Sequence, residues 1–336
     1  MKDKNNTQLV KKTVIFLLIF SLGVFSGYWY VTHGQPKQQA VQEKNTPKAF
    51  LDEVYNKIKE NYWDNISDEK LKDLFKQAQS KTNQASEAAS LVLSALPPAG
   101  RSGLYTQKQE VALKNIVENR NPETGIVEPT ISNKLIGTVL YVKFDKFSPT
   151  SLDEFVKPFD AHRDNEKVNS LILDMRGNIG GAIDSTAYFL GLFLGKNQYG
   201  FDFYKKGEYL PFKTTTDELP SLAKYKQIVI LIDNNTQSSA EMMAASMKKY
   251  HIGVAVGVPT KGWGSVERVF PLENQISSSE KYSIFLVHSL TLRDDNQPIE
   301  GRGVDPDVNI KSPDWEEQLF NYFRNRELIG AVKKVL

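Results

Sequence analysis

The chain has 336 residues, 42 Lys and Arg against 40 Asp and Glu, and a formal net charge of +2, so nothing in its charge points to nucleic acid, and no basic cluster is interleaved with aromatics. Forty per cent of the residues are hydrophobic and cysteine is absent, which fits a globular core and excludes disulfides, a thiol nucleophile, a lipidated cysteine and thiolate metal sites. No His/Asp/Glu group has metal-ligand spacing and no phosphate-cradling glycine loop is present, so no cofactor is expected.

In chain order, Val14–Val31 is free of charge and follows Lys2, Lys4, Lys11 and Lys12. That is enough apolar chain to span a bilayer, with the lysines cytoplasmic and Tyr28, Trp29 and Tyr30 at the outer interface. Residues lacking a small-residue cleavage pattern follow it, which favours an uncleaved anchor over a signal peptide. Residues 1–35 are thus read as cytoplasmic tip and membrane anchor, placing the main domain outside the cytoplasm, and polar residues 36–48 as a tether. In residues 49–100 the apolar spacing is helical: Phe50, Val54, Ile58 and Tyr62, then Leu71, Leu74 and Phe75, with a third helix after Ser86. Residues 101–135 are polar and read as a short linker. In residues 136–312, strands at Gly137–Phe144, Val168–Asp174, Gln227–Ile232 and Ile252–Val258 alternate with helices at Leu152–His162 and Ser185–Leu194, and Val266–Leu272 with Tyr282–Leu292 reads as a hairpin. Alternating strands and helices predict an α/β fold with a mixed sheet and right-handed crossovers. Residues 313–336 form a closing amphipathic helix or pair.

The segment from Asn234 to Gly264 carries the chemistry. A strand ends in a polar turn holding Ser238 and Ser239, and a helix begins at once with Glu241 in its first turn. A serine at a helix N-terminus sits among converging N–H groups, a sensible place for a nucleophile whose product is an oxyanion. The next strand leads into Pro259-Thr260-Lys261-Gly262-Trp263-Gly264.

This segment resembles the C-terminal processing, or tail-specific, serine peptidases. Three further stretches are similar to family motifs in order and spacing: Asp174-Met175-Arg176-Gly177-Asn178-Ile179-Gly180-Gly181 after its strand, Gln297–Val308 as a closing signature, and Asp52–Tyr62 as an N-terminal helix. The resemblance implies a ClpP/crotonase-like β-β-α superhelix and a protein or peptide substrate. It implies Ser238 as nucleophile, oxyanion donors from Ser239 and from Gly180 or Gly181, and supporting roles for Glu241 and Thr260. In most members a PDZ domain lies between helices and core, and the 39 or so residues available here are too few for one. The family's lysine base falls at Trp263, and the glutamine assisting it at Glu267. Indole only donates a hydrogen bond, so Trp263 cannot accept the serine's proton. The base is left to Lys261, which shares a face with position 263 in extended chain unless Gly262 turns the chain between them, to Glu267, or, of the four histidines, to His288. Two functions follow: an anchored extracytoplasmic serine endopeptidase working through Ser238, or an inactive relative that binds peptides. The oligomeric state is not encoded in any of these features.

Overall fold

The structure is a computed structural model that describes residues 45–336; the anchor and most of the tether lie outside the described residues. Among them no helix is long and apolar enough to cross a membrane. Three helices come first: α1 (Pro47–Asn61), α2 (Asp68–Lys81) and α3 (Ala85–Ala95). Thr46 and Ser67 cap the first two through their hydroxyls, which accept N–H groups that the first turn leaves unpaired. Residues 101–135, read from sequence as a linker, contain β1 (Gly103–Thr106), α4 (Gln107–Val117) and most of β2 (Ile131–Ile136). A Thr106/Gln109 capping box starts α4, yet α4 buries no residue. Its polarity is that of a helix lying on the surface.

The core follows as β3 (Val139–Phe144), α5 (Ser151–Ala161), β4 (Ser170–Asp174), α6 (Ser185–Leu194), β5 (Tyr199–Lys205), β6 (Glu208–Lys213), β7 (Gln227–Ile232), α7 (Ser239–Lys249), β8 (Val254–Gly257), β9 (Ser265–Pro271), β10 (Tyr282–Thr291) and β11 (Val308–Asn309). The chain closes with α8 (Trp315–Phe323) and α9 (Arg326–Val335). A six-stranded sheet runs β11-β8-β7-β4-β3-β2, parallel except for the β2–β3 hairpin. Its central strand β4 is buried at every position, as the apolar run Leu171-Ile172-Leu173 requires of a strand covered on both faces. One face packs Phe144, Phe155, Phe189 and Met243 under α5, α6 and α7. The other packs Ile172, Val229 and Leu231 against Leu328 and Val332 of α9.

A second sheet is antiparallel and runs β1-β10-β5-β6, with β9 paired, among the described residues, to β10 alone. Helices α1–α3 lie on it, with Phe50, Ile58, Leu71 and Leu93 against Ile284 and Leu286. The fold is therefore mixed α/β, and the expected β9–β10 hairpin is present. The β5–β6 hairpin was not anticipated: Lys205, Lys206, Gly207 and Glu208 make its turn look like ordinary polar loop.

Candidate active site

The parallel strands β4 and β7 end side by side, and the turns that follow them are stitched together. Asp233 Oδ1 accepts from the N–H of Gly177 (2.9 Å) and of Thr236 (2.9 Å), while Thr236 Oγ1 donates to Met175 O (3.0 Å). Gln237 N–H donates to Asn178 O (2.9 Å). The next residue, Ser238, is forced to φ 56° and ψ −125°, a backbone state that costs an L-residue on the order of 1–3 kcal/mol and persists only where neighbours hold it. Glu241 is one such neighbour, since its Oε2 accepts the Ser238 N–H at 2.9 Å.

Glycines are required opposite the serine. A Cβ on Gly180, at φ +84°, would lie 2.7 Å from Ser238 Cβ and 3.0 Å from Ser239 N. On Gly181 it would fall 2.0 Å from Phe147 O, because residue 147 pairs with Gly181 as a short parallel bridge. The two glycines differ in their N–H groups. Gly180 N–H donates to Asn178 Oδ1 (2.8 Å), and Asn178 is itself buried and bonded to Phe144 O (2.7 Å). Among the described residues the amides of Gly181 and Ser239 have no acceptor. Ser239 is buried, its hydroxyl donating to Gly181 O at 3.1 Å. Of the two serines, the half-buried Ser238 lines the cleft and Ser239 does not.

The turn 259–264 is locked from below by the same glutamate. Fully buried Glu241 accepts from Thr260 Oγ1 (2.5 Å), Gly262 N–H (2.7 Å) and Trp263 N–H (2.8 Å) as well as from Ser238. Burial pushes its carboxyl up, and these donors oppose that push. Thr260 Oγ1 also accepts from Val304 N–H (2.7 Å), which ties the closing signature to the turn. Glu300 of that signature accepts from the amides of Gly264 (2.8 Å) and Ser265 (3.0 Å). Its other oxygen meets Arg101 at 3.2 Å, and the Arg101 guanidinium stacks 3.3 Å from the centre of the Trp263 ring.

Lys261 is exposed, its Nζ 5.9 Å from the centre of the Trp263 ring, and it is not among the residues lining the cleft. The structure does not bring this candidate base to Ser238. Gly262, at φ +81°, turns the chain between positions 261 and 263, which are therefore not joined by extended chain. Glu267 does line the cleft, on β9. It accepts from Ser265 Oγ (2.6 Å) and Trp263 Nε1 (3.4 Å), and burial pushes its carboxyl up to about 7. His288 lies away from this cleft on β10, 2.8 Å from Lys205 Nζ, with burial lowering it to about 4.

The cleft has a volume of about 400 Å³. Trp263, Val266, Val269 and Phe285 form one wall, Ile179 to Ile183 and Ser238 another, and Leu113, Ile116 and Val117 of α4 lie across it. Two contributors escape a reading by motif. Arg101 sits in a loop with no local signal, and Lys146 lines the cleft from an unremarkable β3–α5 loop. Asn178 was visible inside the glycine motif, though its bond to Gly180 was not.

The profile of peptidase family S41 matches residues 138–310, just over half of the chain. A probable CtpA-like serine protease of Staphylococcus epidermidis is 27% identical over 181 residues, 54% of this chain and 35% of that protein. A carboxy-terminal-processing protease of Bartonella bacilliformis is 24% identical over 179 residues, 53% and 39% of the two chains. The chain thus matches well under half the length of these curated relatives. Among solved structures, a photosystem II D1 C-terminal processing protease aligns with a TM-score of 0.58 at 13% identity, covering 79% of this chain and 93% of that one. A lipoprotein from Streptococcus agalactiae aligns at 0.61 with 16% identity, covering 86% and 100%. These likenesses carry the fold, and the profile carries the family: the chain belongs to peptidase family S41, the family of C-terminal processing proteases.

Proposed function

We propose that the protein is a serine-type endopeptidase that cleaves protein chains near their C-termini, with Ser238 as nucleophile and Glu267, rather than Lys261, as general base. One observation carries this reading: a half-exposed, strained serine, two uncommitted amides beside it and a carboxyl pushed up to about 7 all line or border one cleft. A base works best when its pKa lies near the working pH. In the proposed cycle Glu267 takes the Ser238 proton, directly or through one water, as Oγ adds to the scissile carbonyl. The N–H groups of Ser239 and Gly181 stabilise the resulting oxyanion, Gly180 being committed to Asn178. Glu267 then gives the proton to the leaving amine, and water repeats the sequence on the acyl-enzyme. Among the described residues strand β9 pairs only with β10, so alternate backbone groups on its open side are available to an extended peptide.

The topology of parallel sheet and β9–β10 hairpin supports the crotonase-like β-β-α superhelix as the core. The charge-free Val14–Val31 after a lysine-rich tip supports a membrane anchor that holds the catalytic domain outside the cytoplasm of a bacterial cell. A second reading, a peptide-binding relative without activity, is favoured by Trp263 at the lysine position with Arg101 stacked on its face. The test is labelling by a fluorophosphonate probe together with cleavage of an unfolded protein by the full-length chain. The proposal expects both to vanish in Ser238→Ala, to fall at least about a hundredfold in Glu267→Gln and to survive in Lys261→Ala. An unlabelled wild type that gains labelling in Trp263→Lys supports the second reading instead.

A further inference from the structure

Of the residues lining the cleft, only Lys146 and Glu267 are ionisable, and the rest of the lining is largely apolar. Lys146 is half-buried, and its Nζ donates to the main-chain oxygen of Ile116 near the C-terminal end of α4, at 2.8 Å. It takes part in no ion pair among the described residues, where Lys143 and Arg176 on the neighbouring strand ends both have carboxylate partners. An ammonium has three donors, and here one is used. Burial lowers its affinity for a proton, the mark of a cation held without a compensating anion. Its place is fixed by the adjacent Phe147, whose N–H donates to Gly180 O (2.9 Å) and whose oxygen accepts from Ala182 N–H (2.9 Å). The cation is thereby held beside the turn after β4 that carries the oxyanion glycines.

We propose that Lys146 is a specificity residue that binds the free α-carboxylate of a peptide's C-terminus in the apolar cleft beside Ser238. The inference rests on the peptide-binding part of the reading above and not on its chemistry. The main chain of a peptide interior brings no charge into such a cleft, whereas every C-terminus brings one carboxylate. Glu267 repels that group from its own side of the cleft, which leaves the Lys146 end. Leu113, Ile116 and Val117 would cover the last, apolar side chains of the tail. A carboxylate is also supplied by acidic side chains, so the test separates the two sources.

The full-length chain carrying Ser238→Ala is titrated with three fluorescein-labelled hexapeptides and read by fluorescence anisotropy. One is built of alanine and leucine with a free C-terminus, the second is its C-terminal amide, and the third is an amide whose last residue is glutamate. The free acid is expected to bind at least about tenfold more tightly than its amide, the worth of a charge-assisted contact. Lys146→Gln is expected to erase the difference and Lys146→Arg to keep most of it. Equal binding of acid and amide, a difference that persists in Lys146→Gln, or a glutamate amide that binds as well as the free acid would each overturn the proposal. Failure of fluorophosphonate labelling in the wild type, with acid and amide still distinguished, would remove the peptidase reading and leave this one standing.

Discussion

Glu267 is where residue chemistry bears most directly on function. Its carboxyl is raised from an ordinary 4.5 to about 7 by burial, with Ser265 and Trp263 donating hydrogen bonds that partly offset the rise. Between these two values the folded chain holds a proton that the unfolded chain has released. The unfolded state then binds fewer protons, so this group's contribution to stability falls as pH rises from about 4.5 to about 7 and stays low above that. Glu267→Gln is therefore expected to raise Tm at about pH 8 by a few degrees and to change it much less at about pH 5. Calorimetry at the two values checks this, and a destabilised variant at the higher pH would contradict it. Gly180 is the second sensitive residue. Alanine there meets Ser238 Cβ at 2.7 Å from a φ of +84°. Gly180→Ala is expected to cost about 1–3 kcal/mol and to abolish probe labelling, because the serine must move to admit the methyl group.

At the scale of elements, the site is a junction of the β4 turn, the start of α7 and the turn before β9. Glu241 binds the last two together through four donors. Glu241→Ala would orphan three amides and a hydroxyl, costing about 3 kcal/mol or more and lowering Tm by roughly 6 °C or more, with labelling lost as well. A variant that unfolds like the wild type would show that the turn does not depend on this carboxylate. The sequence made much of this junction readable. Helix α6 has the expected bounds Ser185–Leu194, and Ser238 sits where a strand gives way to a helix. Glu241 was recognisable as a first-turn carboxylate, but its reach to Thr260, Gly262 and Trp263 joins segments some twenty residues apart. No local pattern encodes such a reach. For Lys261 the sequence left open whether Gly262 closes or widens the gap to position 263; the glycine takes a positive φ and the lysine is exposed, outside the cleft lining.

Across the whole molecule, the helical layer α1–α3 supports the sheet that forms one wall of the cleft. Leu93 and Ile58 are fully buried against Ile284 and Leu286 of β10, and among the described residues β10 is the only partner of β9. Leu93→Ala is expected to cost about 2–5 kcal/mol and to weaken labelling in step with stability, as read by denaturant melts beside probe assays. The amphipathic spacing of Phe50, Val54 and Ile58 made that layer legible. The architecture of residues 101–135 was not: Leu113, Ile116 and Val117 of α4 have helical spacing, but they line the cleft instead of entering a core, and the polar residues around them read as linker. Lys146 was hidden for a related reason: its significance lies in what it is not paired with.

The central claim is that Ser238 is activated by a carboxylate. The most direct test is the rate at which a fluorophosphonate labels Ser238 from about pH 5 to about pH 9, in the wild type and in Glu267→Gln. A carboxyl at about 7 predicts a rate that climbs through neutrality and levels off above it, with the climb absent and the rate low in Glu267→Gln. A rate that keeps its neutral-pH climb in Glu267→Gln, or that depends instead on Lys261, would contradict the account.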